Sequence, residues 1–168
     1  MISAHRFFRK EGRQVKKGLL WLLPLLLLVL LLLPGKQMHF VLYDRKAEQE
    51  VLSVPVSPGD RLSLEIEHSQ DHIPWFEYYT VTENGQFRLD SIAVAGYGSG
   101  IPAEMDVPVR IENGMVIMEP INSIFPEFRW ITSDTYMKGL TLNGEEIFDF
   151  RSLPDASRIR GFIKEIRR

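Results

Sequence analysis

LTLNGEEI, Leu140 to Ile147, reads as two short strands folded about a tight turn. Asn-Gly is the strongest short-range hairpin signal, because a type I′ turn needs positive φ at both central positions. The same dipeptide recurs in RIENGMVI, Arg110 to Ile117, and at Asn84-Gly85. Three such turns spread along the chain predict antiparallel hairpins, not an α/β fold. Further strands are expected at His39–Tyr43, Glu50–Val56, Arg61–His68 and Phe128–Ser133, with SPGD (Ser57 to Asp60) as a turn before the third. The fold class that follows is all-β, an antiparallel β-sandwich of immunoglobulin-like type.

Both ends depart from this pattern. GLLWLLPLLLLVLLLLP, Gly18 to Pro34, is a run of seventeen residues without a charge. As a helix it would cover roughly 25 Å, the short end of what crosses a bilayer. The preceding residues carry six Lys/Arg against Glu11 alone, which places them in the cytoplasm by the positive-inside rule. PGKQMHF after the run has no small-x-small cleavage pattern, so an uncleaved signal anchor is expected. At the other end, Ile159, Phe162, Ile163 and Ile166 recur at helical spacing opposite Arg158, Arg160, Lys164 and Arg167. That pattern predicts a basic amphipathic helix, either packed on the sandwich or lying on anionic headgroups. The expected organisation is a cytoplasmic tail (1–17), a transmembrane anchor (18–38), an extracytoplasmic sandwich (39–154) and a C-terminal helix (155–168).

Charge and cysteine content exclude some functions. Phe40 to Pro154 holds eight Lys/Arg and nineteen Asp/Glu, an acidic body that argues against nucleic acid as a partner. With no cysteine, the exported domain uses neither disulfides nor thiol chemistry. No cofactor is implied.

The chemically richest stretch is HSQDHIPWFEYY, His68 to Tyr79. His68 is in phase with Leu62, Leu64 and Ile66 and leans toward the core. A two-residue turn at Asn84-Gly85 would pair Tyr78 with Ser91 and Phe76 with Ala93 on the apolar face. Glu77 would then face outward, unless a bulge near Ser91-Ile92 reverses it. His68, Asp71, His72 and Glu77 offer a metal-ligand set whose spacing matches no specific motif. Ser69 beside His68 lacks the geometry of a nucleophile and its base, and no G-x-S-x-G elbow exists, so no catalytic residue is assigned and the protein is expected not to be an enzyme. GYGSGIP, Gly96 to Pro102, lacks the lysine of a phosphate loop and reads as a turn or as a backbone-lined rim.

His68-Ser69, Pro74, Glu77-x-Tyr79 and then Gly98-Ser99-Gly100-x-Pro102 together resemble a family of small exported bacterial proteins. That family is an uncharacterised domain of unknown function, often encoded beside TAXI-type TRAP transporters. The resemblance spans Leu52 to Phe148. It implies a membrane-proximal β domain linked to uptake of a small organic anion, and it transfers no catalytic residue. The expected function is an anchored accessory of such a transporter, contacting its substrate-binding protein or membrane subunits. His68, Ser69, Pro74, Glu77, Gly98, Ser99 and Gly100 form the expected contact surface. The alternative is a module that binds a small molecule or a divalent metal through His68, Asp71, His72 and Glu77.

Overall fold

The computed structural model describes residues 36–96 and 106–167, together with Pro24. The basic tail and the apolar run lie outside the described residues, so the expected anchor is not described. Among the described residues no helix is long and apolar enough to cross a membrane. Lys36 to Met38, expected to close the anchor, instead open the first strand, and Lys36–Arg167 forms one compact unit.

Twelve strands follow one another along the described residues: β1 (Lys36–Asp44), β2 (Gln49–Val56), β3 (Arg61–Glu67), β4 (Pro74–Val81), β5 (Phe87–Val94), β6 (Val109–Glu112), β7 (Met115–Met118), β8 (Ser123–Phe125), β9 (Glu127–Ile131), β10 (Met137–Leu142), β11 (Glu145–Asp149) and β12 (Arg158–Arg167). They form two antiparallel sheets. The smaller has the order β2-β1-β12-β9; the larger has β11-β10-β3-β4-β5-β7-β6, with β8 on the same edge of β5 as β7. The β3-β4-β5 meander and the placement of the last strand beside the first differ from the immunoglobulin strand order.

One core joins the sheets. Phe40, Leu42, Phe128 and Ile159 of the small sheet are buried in one cluster with Leu62, Leu64, Tyr79, Phe87 and Met118 of the large one. Aromatic contacts carry the join: Phe87 lies 5.8 Å from Phe40 and 4.2 Å from Phe128, centroid to centroid, and Tyr79 lies 4.7 Å from Phe128. Such pairs add stabilisation beyond the area they bury.

The C-terminal segment corrects the sequence reading. Residues 158–167 are a strand, not a helix, paired along their length with β1 (Lys36↔Arg167 to Asp44↔Ile159) and on the other side with β9. Two of its four basic side chains have acidic partners on the protein: Arg160 Nε is 2.6 Å from Glu127, and Lys164 pairs with Glu50. The headgroup-binding reading required an amphipathic helix, and the strand removes that basis. Gly161 sits at the centre of the strand, where an added Cβ would lie 3.3 Å from both Leu42 Cδ2 and Trp130 Cζ3. Gly161→Val is therefore expected to overpack the small sheet and lower stability by about 1–3 kcal/mol in denaturant unfolding. An unchanged midpoint contradicts that packing.

The β1–β2 turn is closed by Asp44, whose side chain accepts from the amides of Lys46 (2.8 Å) and Ala47 (3.1 Å). Burial pushes this carboxyl up, but the Ala47 and Lys46 amides outweigh it and hold it below its ordinary value. Glu127 is held low by hydrogen bonds from Arg129 and Arg160. Both groups are depressed on folding. Their contribution is complete above the unfolded values near 4 and is lost as pH falls through the folded ones. Melting temperature is expected to drop between about pH 5 and about pH 3, less steeply in Asp44→Asn. A flat profile contradicts this.

Candidate functional site

The stretch from His68 to Tyr79 forms the end of β3, a tight loop and β4. The loop is closed by the His68 amide donating to the Ile73 carbonyl (2.8 Å) and the His72 amide donating to the His68 carbonyl (2.9 Å). His72 takes a left-handed φ of 51° to make the turn. Ser69 and Pro74 are exposed, and the Pro74 carbonyl accepts from the Ala95 amide at 3.0 Å. Gly98, Ser99 and Gly100 lie outside the described residues.

Glu77 is on the core face, not the outer one. Its cross-strand neighbours are Leu64 and Ile92, both buried. Two local features reverse the expected face. The β4–β5 turn runs from Thr82 to Gln86, where the Thr82 hydroxyl accepts from the Gln86 amide (3.0 Å), so Val81 pairs with Phe87. The partner then jumps from Leu89 to Ser91 between Tyr79 and Tyr78, a bulge at Asp90. Trp75, Glu77, Tyr79 and Val81 consequently share the core face, while Phe76, Tyr78 and Thr80 face outward.

A carboxylate on this face needs donors, and it has two. Trp75 Nε1 donates to Glu77 Oε1 (3.2 Å) and the Tyr79 hydroxyl to Oε2 (2.5 Å). Burial pushes the Tyr79 phenol well above its ordinary value, and the Glu77 charge adds to the shift. The His68 ring stacks on Trp75, with centroids 6.1 Å apart and 11° between planes. Trp75 thus connects His68 to Glu77 by stacking on one and donating to the other. His68 Nδ1 lies 3.2 Å from Asp71 Oδ2. His72 turns away, 2.8 Å from Glu67, whose other oxygen is 3.0 Å from Lys138. Hydrogen bonds from His72 and then Lys138 hold the Glu67 carboxyl below its usual range. Of the four residues of the expected metal set, His68 and Asp71 contact each other, while His72 and Glu77 are drawn to other partners. Among the described residues no group of three or more His, Asp or Glu is placed to hold a metal ion.

The large sheet opens a second surface on its outer face. Register aligns side chains into rows across strands: Arg61-Thr80-Arg88, then Thr141-Ser63-Tyr78-Ser91, then Glu65-Phe76-Ala93-Ile117-Arg110. Along β5 the middle positions, Ser91 and Ala93, are small. They floor a trough between Phe76 and Tyr78 of β4 and Met115 and Ile117 of β7. The depression has a volume of ≈ 990 Å³. Phe76 and Tyr78 stack at 6.4 Å, and Tyr78 is 41% exposed, so an aromatic face is presented to solvent. Polar groups close one end, where Asp90 accepts from Thr80 Oγ1 (2.5 Å) and Arg88 Nε (2.6 Å). Beside them the Arg61 guanidinium has no carboxylate partner among the described residues. An aromatic wall, a small-residue floor and an arginine without a carboxylate partner among the described residues suit binding. Sequence reasoning missed this surface because it assigned Phe76, Tyr78 and Ala93 to the core. The signal available was the run of small residues in alternate positions of β5.

A family described as Domain of unknown function (DUF1850) matches residues 62–148. The match covers just over half of the chain, and the chain belongs to this family. No curated protein and no solved structure matches the chain. The matched span begins in β3 and ends in β11. It contains most of the large sheet, the His68–Tyr79 stretch and the trough, and leaves out β1, β2 and β12.

Proposed function

We propose that this protein is a non-enzymatic binding module held on the extracytoplasmic side of the membrane by the apolar run at 18–34. It serves as an accessory of a TAXI-type TRAP transporter, contacting the substrate-binding protein or the membrane subunits. The observation that carries the reading is the open outer face of the large sheet, with a solvent-facing aromatic pair and charged groups around a trough floored by small residues. Interface centres are enriched in such aromatics and arginines. The acidic body of the chain favours a protein partner over direct capture of an acidic substrate, which it would repel. The resemblance carried by His68, Ser69, Pro74, Glu77 and Tyr79 supports the transporter link, and the contact surface proposed is the trough on the sheet beside them. Affinity isolation of the full chain from membranes should recover a transporter component, and deletion of its gene should impair uptake of the transported compound. Isolation that recovers none, with normal uptake in the deletion strain, overturns the proposal.

A second reading rests on the trough's volume, at the upper end of small-molecule sites, and on Arg61, which has no carboxylate partner among the described residues. In that reading the module binds an organic acid with an apolar body. Dicarboxylates and aromatic carboxylates should then raise the melting temperature of the wild-type protein but not of Arg61→Gln. No shift with any of them removes this reading.

A further inference from the structure

β6 is the outermost strand of the large sheet beyond β7, and all four of its residues are exposed. Val109 and Ile111 are 47% and 68% exposed, although their cross-strand neighbours Met118 and Val116 are 1% and 4% exposed. An apolar edge strand is a template for pairing with another chain unless charge, proline or a bulge blunts it. Three other edges are blunted: β11 carries Glu145 and Glu146, β2 carries Glu50 and Pro55, and β9 carries Glu127 and Arg129 in an ion pair, while the three-residue β8 is short. β6 carries an ion pair of its own, Arg110 with Glu112 and Glu119, but on the outer face, and its core-face positions Val109 and Ile111 are bare of charge.

The turn after β6 sets which backbone groups are available. Asn113 and Gly114 both take left-handed φ values, 52° and 79°, and Glu112 pairs with Met115 across them. In a two-residue hairpin that flanking pair is hydrogen-bonded, so Glu112 and Arg110 turn their amides and carbonyls toward β7. The Glu119 amide donating to the Pro108 carbonyl at 3.2 Å keeps the same phase. The N–H and C=O groups of Val109 and Ile111 therefore point out of the sheet.

We infer that β6 pairs with β6 of a second copy of this chain, antiparallel and with the two-fold axis at Ile111, so that the large sheet runs on across the dimer. The outward phase of the backbone leaves two axes to choose from near the strand's centre. An axis at Arg110 sets Arg110 against its own copy, which like-charge repulsion disfavours. An axis at Ile111 sets each Arg110 opposite the other copy's Glu112 on the outer face, so that the Arg110–Glu112 ion pair within each copy extends across the seam. It also brings the two Ile111 side chains together on the core face and lets them exchange two backbone hydrogen bonds. The surface is self-complementary, as an isologous contact must be. With one four-residue strand per copy the association is weak and concentration-dependent. The outer face stays open, so the two troughs lie on one continuous sheet. This inference does not depend on the transporter reading.

The chain contains no cysteine, so a single introduced thiol reports on one position. The full chain carrying Ile111→Cys, solubilised in detergent and treated with a short bis-maleimide, is expected to yield covalent dimers whose fraction rises with protein concentration. Ile124→Cys, at a position 49% exposed on β8, serves as the control and should remain monomeric. Adding Arg110→Glu to Ile111→Cys should cut the dimer yield at least fivefold, and adding Glu112→Arg as well should restore it. A yield from Ile111→Cys no higher than the control overturns the pairing. A yield indifferent to Arg110→Glu, or one the charge swap does not restore, overturns the axis at Ile111.

Discussion

Ending the chain at Pro154 is expected to abolish cooperative folding of the domain. β12 is an inner strand of the small sheet: nine of its residues pair with β1 and five with β9. Without it β9 has no partner in that sheet, and β1 keeps only β2. Ile159, 1% exposed, leaves the core, and the Ser157 amide no longer donates to Thr132 Oγ1 (2.9 Å). Each lost backbone hydrogen bond costs about 0.5–1.5 kcal/mol net, and a buried isoleucine about 2–5 kcal/mol. Summed over a whole strand, these losses exceed the roughly 5–15 kcal/mol that holds a domain folded. The truncated protein should give a broad, non-cooperative thermal transition by circular dichroism. A sharp transition within a few degrees of the full-length one would show that the segment is an appendage, as a terminal helix would have been.

The second large effect is expected at Glu77. Replacing it by leucine leaves the Trp75 indole N–H and the Tyr79 hydroxyl without their acceptor. Tyr79 is only 6% exposed, so water cannot readily take over. A buried donor left unpaired costs about 1–3 kcal/mol, and Glu77→Leu should lose about 2–4 kcal/mol in urea unfolding. Glu77→Gln keeps an acceptor and should lose less. In Tyr79→Phe the leucine substitution should cost distinctly less than in the wild type, because one of the two donors is already gone. Strictly additive effects would contradict the hydrogen bond. The same contact predicts an alkaline limit. The folded phenol titrates above its unfolded value near 10, so its contribution is present below that pH and is lost as pH rises beyond it. Tyr79→Phe should soften that loss.

The sheet-forming plan was legible where it is local. Asn113-Gly114 and Asn143-Gly144 do close two-residue hairpins, and all four residues take positive φ. Asn84-Gly85 lies in a longer loop because the Thr82 hydroxyl captures the Gln86 amide, a contact that turn statistics do not contain. One added loop residue and one bulge were enough to exchange the faces of β4, since strand side chains alternate. This is why Glu77 moved inward and Phe76 and Tyr78 outward. β12 was misread for a different reason. Its isoleucines fit a helical stripe, yet Gly161 at its centre and its β-branched residues suit a strand, and the partner that decides is β1, at the far end of the described chain. Pairing so distant leaves no local periodicity to read.

The most direct test of the central claim, that the outer-face trough is the contact surface, places a photoreactive phenylalanine analogue at Tyr78 of the full chain in native membranes. The same group at Ile131, 69% exposed on the small sheet, serves as the control. The predicted result is a covalent adduct between the Tyr78 variant and a transporter component, identified by mass spectrometry and absent from the Ile131 variant. Adducts of equal yield from both positions, or an adduct from Ile131 alone, would contradict it.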